Sequence, residues 1–372
     1  MSTGSTLFKD IYTPKFIDGF GKIAKHVYPS FDNKAFTKSV FGKDWGSMEL
    51  KQRARHISNV LYKLLPESFP DAADLLVAIV KKLQEEDIKD YMIAYIFIPD
   101  YIEVYGIGHF KESVKAMEYI TTFISCEFAV RPFILKYGDR MIKHMVAWGN
   151  HKDHRVRRLA SEGCRPRLPW AVALPALKKD PAPILPMLEK LKDDKHEWVR
   201  RSVANNFNDI SKDNPEIVLA LFKKWHGKTK ETDWVIKHGS RTLLKQGHTE
   251  LLGLFGFVQD NSVSLLDFSI DTPKVKWDGD LVFRFTVKNI SKQTQKIRLE
   301  YAMYYLKANG THSKKVFKIS EREYTPGETC AIVRKQSFRP IRTRVYHPGL
   351  HKVAIIINGI EKDVLEFRLV KA

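Results

Sequence analysis

Two nine-residue stretches, HRVRRLASE from His154 and EWVRRSVAN from Glu197, stand 43 residues apart and share the order Val-Arg-Arg. Val156 falls on Val199, Arg157 on Arg200 and Arg158 on Arg201, with Ala160 one place from Ala204. DWVIKHGSR, from Asp233, reads as a third copy 36 residues on, Val235 matching Val199. This period constrains the fold more than any other feature of the chain. HEAT-type helical repeats recur at roughly 40–47 residues, and each unit buries its apolar face only by stacking on the next.

The surrounding sequence agrees. Helical spacing runs through 48–65, 72–83, 110–124, 140–148 and 215–225, with breakers at Pro66, Gly138, Asn150, Pro166 and Gly227 between them. Residues 1–258 are therefore predicted to form a mostly α, HEAT-like solenoid. In the first copy Val156, Leu159 and Ala160 share one side and are expected inside. Arg157, Arg158, Ser161 and Glu162 turn the other way, so the repeated arginine pairs predict a track for phosphates. Trp148, Trp198, Trp225 and Trp234 sit among apolar residues and are expected in the core.

Beyond Gln259 the period changes to two, in runs such as VFRFTVKN and HKVAIIING, broken by Asp278-Gly279, Asn309-Gly310, Pro326-Gly327 and Asn358-Gly359. About seven short strands predict that residues 259–372 form an immunoglobulin-like β-sandwich without the Cys–Trp–Cys pattern of antibody domains.

Charge narrows the partner. The chain carries +19, of which +9 lies in residues 259–372, so both regions favour a polyanion, with nucleic acid ahead of an anionic membrane. No apolar run is long enough to span a bilayer, Lys9, Asp18 and Lys22 interrupt any leader pattern, and three scattered cysteines read as reduced thiols. A monomer in the cytoplasm, associated with the nucleoid, is the expectation. The histidines are dispersed, with no HExxH or CxxC and no phosphate-cradling glycine loop, so no metal and no cofactor is predicted.

The stretch RVRRLASEGCRPRLPW, from Arg155 to Trp170, packs five arginines, the single carboxylate Glu162 and one tryptophan into a helix and its exit. Gly163 is expected to end that helix. A carboxylate among phosphate-binding arginines weakens binding, a cost expected where the acid has a chemical task. Glu127 in CEFAVRPF is either an acid near a helix start or a functional one, and Asp209 reads by itself as a capping or loop residue. Candidate DNA contacts are Arg131, Arg157, Arg158, Arg165, Arg167, Arg200, Arg201, Asn205 and Arg241. A non-catalytic nucleic-acid scaffold fits the basic track equally well, but does not need the acids.

RRLASEGCRPRLPW and SCEFAVRPF, with the earlier FDNKAF and MELKQRARHIS, resemble the AlkC branch of the AlkC/AlkD alkylpurine DNA glycosylases, over essentially the whole chain. The resemblance implies base excision repair of alkylation damage in double-stranded DNA. The implied substrates are 3-methyladenine and 3-methylcytosine, with 7-methylguanine as an extension, removed without flipping the base. It also implies that Glu127, Glu162 and Asp209 are active-site acids, that Trp170 touches the damaged nucleotide, and that Arg158 lies near its phosphates.

Overall fold

The computed structural model describes residues 8–88, 93–341 and 344–371. Among them sixteen α-helices, from Pro14–Val27 to Thr249–Leu254, are followed by eight strands. The chain divides into two compact units, Met1–Asn214 with Gly227–Gly239, and Pro215–His226 with Ser240–Ala372. No helix among the described residues is long and apolar enough to cross a membrane.

In the first unit the three sequence repeats become three neighbouring helices, His154–Gly163, Glu197–Ile210 and Lys230–Gly239, the middle one packed against both others. Local chemistry starts the first two alike. The Asp153 carboxylate accepts from the Arg155 N–H at 2.7 Å, and His196 Nδ1 accepts from the Trp198 N–H at 3.3 Å. Val156, Leu159 and Ala160 are buried as expected, but so are Arg157, Ser161 and Glu162. Periodicity names a helix face without saying what covers it. Here the Asp194 loop covers Arg157, and the next repeat helix covers Ser161, whose carbonyl accepts from Asn206 Nδ2 at 2.8 Å.

Gly163 does end its helix, though its φ is not positive. A Cβ there would come within 2.6 Å of Val130 and 2.7 Å of Met145, so close packing demands the glycine. Trp148 and Trp225 are core residues, whereas Trp234 is 37% exposed and Trp198 is only partly buried, against the expectation for both.

The second unit holds strands β1 (Val263–Ile270), β2 (Lys274–Lys276), β3 (Asp280–Asn289), β4 (Gln295–Leu306), β5 (His312–Tyr324), β6 (Thr329–Ser337), β7 (Gly349–Ile357) and β8 (Ile360–Val370). They form a sandwich of a three-stranded sheet, β1-β3-β6, and a five-stranded sheet, β2-β8-β7-β4-β5. Alternation places Leu281, Phe283, Phe285 and Val287 of β3 inside. Asn358 (φ 47°) and Gly359 (φ 80°) turn β7 into β8, the left-handed pair that a two-residue hairpin asks for. The preceding helical segment is built into this unit. Gln259 Nε2 donates to the carbonyls of Gly247 and Asn358, and Asn358 Nδ2 donates to Val258.

Candidate active site

In the first unit a cleft of about 410 Å³ opens where the exit of helix His154–Gly163 meets the turn before helix Val130–Tyr137. Glu127, Arg158, Glu162 and Arg165 line it with Phe128, Leu168, Trp170 and Trp198. The charged side chains form an alternating chain. Arg158 Nη1 donates to Glu127 Oε2 at 2.8 Å, and its Nη2 stands 4.0 Å from Glu162 Oε1. Arg165 joins Glu162 Oε1 at 2.7 Å to Asp209 Oδ2 at 2.9 Å, and Lys212 Nζ closes the chain on Asp209 Oδ1 at 3.0 Å. Ser202 Oγ donates to Glu162 Oε2 at 2.6 Å.

This wiring gives the acids different capacities. Both Glu162 oxygens are engaged, one by a guanidinium and one by a hydroxyl. On Glu127 both Arg158 and Ser125 donate to Oε2, and no donor among the described residues reaches Oε1. Asp209 is 2% exposed, does not line the cleft, and acts on it through Arg165. Burial works against the Arg165 charge, but the two carboxylates outweigh it and raise its pKa.

Aromatic rings make the other walls. Trp170 is 64% exposed and has a backbone φ of +64°. The Arg158 guanidinium lies 4.5 Å from the Trp198 ring centroid, a cation–π distance. Trp198, read as core from its apolar neighbours, is therefore a wall of the site. Its place beside Val199 at the repeat start, one position before the buried face, was the available signal. Burial pushes the Cys126 thiol up, and the Cys164 thiol up to about 12, so neither supplies a thiolate near neutral pH.

A Pseudomonas fluorescens alkylpurine DNA glycosylase, AlkC, solved bound to DNA containing an abasic site analog, superposes with a TM-score of 0.90 at 34% identity, covering 98% of this chain and 100% of that one. The Bacillus subtilis (strain 168) protein YhaZ, described as uncharacterized, is 41% identical over 361 residues, 97% of this chain and 99% of that protein. The chain belongs to the AlkC/YhaZ family. The family model for the C-terminal Ig-like domain of YhaZ matches residues 264–371, which gives the sandwich its type.

Within this AlkC-type fold the nine expected DNA contacts separate. Arg131 is wholly buried and donates to the carbonyls of Gly163, Arg165 and Val172 at 3.0, 2.8 and 2.6 Å. Burial pulls its pKa down to about 10, still charged at neutral pH. Arg157 is bound to Asp194 and to two carbonyls, Arg165 is held between two acids, and Arg200 Nη1 donates to the Asp194 carbonyl at 2.6 Å. Each of these four guanidiniums makes hydrogen bonds inside the fold, Arg165 while lining the cleft and Arg200 while half-buried. Arg158 stands in the cleft. Arg167 pairs with Asp213 at 2.6 Å, the exposed Arg201 pairs with Glu197 at 2.6 Å, and Asn205 is half-buried. Arg241 is half-buried and belongs to the other compact unit.

Proposed function

We propose that this protein is a monofunctional DNA glycosylase that hydrolyses the N-glycosidic bond of cationic N-alkylated bases in duplex DNA. 3-Methyladenine and 3-methylcytosine are the leading substrates, and 7-methylguanine is a further one. The observation that carries the reading is the cleft that sets Glu127 and Glu162 beside Trp170 and Trp198. The AlkC likeness supports it, since that protein is an alkylpurine DNA glycosylase bound to DNA containing an abasic site analog.

The chemistry follows from the leaving group. A base methylated at N3 already carries positive charge, so it departs neutral without a general acid, and no metal is needed. Positive charge then grows on the deoxyribose, where Glu127 and Glu162 stabilise it. Water adds to C1′, and its proton passes to Glu127 Oε1, the carboxylate oxygen that neither Arg158 nor Ser125 reaches. Trp170 and Trp198 face the cationic nucleotide, an attraction of roughly 0.5–2 kcal/mol that a neutral base forgoes. Asp209 sets the Arg165 position. The base stays in the helix and is not flipped. Arg158, Arg167, Arg201, Asn205 and Arg241 meet phosphates. Residues 1–258 supply catalysis and DNA binding, and the basic residues 259–372 also bind DNA. The protein works as a monomer in the cytoplasm.

The decisive experiment measures free bases released from methylated duplex DNA, with chelator present, by wild type and Glu162→Gln. Gln keeps the shape and the Ser202 contact but loses the charge. Release by wild type, slowed about 100-fold or ~2.7 kcal/mol in the variant, is expected. Tight binding of the DNA by wild type with no base released would replace the glycosylase by a scaffold.

A further inference from the structure

Trp170 is held against its own backbone preference. A φ of +64° is left-handed, a region that bulky side chains avoid unless their surroundings over-determine it. Cations from two other helices supply that constraint. Lys51, in the first turn of helix Leu50–Tyr62, donates from Nζ to the Trp170 carbonyl at 2.9 Å. The same ammonium lies 4.6 Å from the Phe128 ring centroid. Arg131, in helix Val130–Tyr137, fastens both ends of the exit loop through the carbonyls of Gly163, Arg165 and Val172. Phe128 and Trp170 line the cleft, but Lys51 does not. It ties the Glu127–Phe128 turn to the Trp170 loop from behind.

We infer that Lys51 is a positioning residue of the site: its ammonium fixes the Trp170 carbonyl, and through it the angle at which the indole meets the damaged nucleotide. Arg131 holds the loop's ends and Lys51 its strained middle. The role differs from that of a phosphate-binding lysine, because the charge is used on a carbonyl and a ring within the protein. It rests on the glycosylase reading only for what the indole meets; the clamp itself does not depend on it.

The test uses full-length protein labelled with 5-fluorotryptophan, with the Trp170 resonance assigned by Trp170→Phe. Lys51→Met keeps the stem and removes the donor, and Lys51→Arg restores donor and charge. In wild type Trp170 should give one narrow fluorine resonance, shifted or split in Lys51→Met and single again in Lys51→Arg. Single-turnover release of 3-methyladenine at saturating DNA should fall about tenfold in Lys51→Met and recover to within about threefold in Lys51→Arg, with little change in half-saturating DNA. An unmoved Trp170 resonance in Lys51→Met would overturn the clamp. So would an unchanged saturated rate with weakened binding, the mark of a phosphate contact. If wild type releases no base, the glycosylase reading fails while the fluorine resonance still decides the clamp.

Discussion

The first two repeat helices begin alike and end in different uses. In each, the first arginine of the pair donates to a carbonyl six residues back: Arg157 to His151 at 2.9 Å, Arg200 to Asp194 at 2.6 Å. Asp194 serves both copies, its carboxylate taking Arg157 and its carbonyl taking Arg200. The second arginines part company. Arg158 meets Glu127 and Trp198 in the cleft, while Arg201 lies at the surface with Glu197. What recurs in the sequence is thus the staple that closes each repeat, and the copies diverge at the position that faces the cleft in the first of them.

The largest expected effect tests the staple. Arg157 and Asp194 are both nearly buried, so Arg157→Met strands a buried carboxylate and should cost about 3–5 kcal/mol, read from urea unfolding. Arg200→Met removes one charge-assisted hydrogen bond at a half-buried site and should cost about 1–2 kcal/mol. Acid sharpens the comparison. Burial pushes the Asp194 pKa up, but the bonds from Arg157 and the His196 N–H outweigh it and hold it below the ordinary value. A depressed carboxylate contributes its stability above the unfolded pKa, about 4, and loses it as pH falls through the folded one. Wild type should therefore resist acid to a lower pH than Arg157→Met. Equal acid midpoints would mean that the pair does not staple the repeat.

The next effect tests the divergent position. Arg158→Gln should slow base release about tenfold, because Glu127 and Trp198 lose the group that orients both. The matching Arg201→Gln should leave saturated release unchanged. If both variants kept full activity, the division between staple and chemistry would fail at its second half.

How far the sequence disclosed this depends on distance along the chain. The repeat period, the change to alternating strands and the Asn358-Gly359 hairpin are local patterns, and each appears where it was read. The acids stood out in the sequence by their odd company and by resemblance, and the fold brings Glu127 and Glu162 to one cleft. Their wiring was out of reach, because Arg157 meets Asp194, Arg165 meets Asp209, and Lys51 meets Trp170 at separations of 37, 44 and 119 residues. A helix wheel assigns Arg157 and Glu162 to the polar side, which reads as solvent until a neighbouring helix is placed there. Trp198 failed in the converse way: apolar neighbours in sequence did not put it in the core.

The smallest effect is the most discriminating about DNA. Arg201 and Glu197 form an exposed pair one turn apart, which contributes less than about 0.5 kcal/mol to stability. Arg201→Gln should leave the unfolding midpoint in place. If Arg201 also meets a phosphate, as proposed, the same variant should weaken DNA binding evenly across sequences. The slope of log affinity against log salt should then fall by about one, since one fewer counterion is released on binding. Arg157→Met, refolded at low temperature, should leave that slope unaltered because its guanidinium is engaged by Asp194 and two carbonyls. A salt slope that fell for Arg157→Met and stayed for Arg201→Gln would reverse the roles of the two arginines.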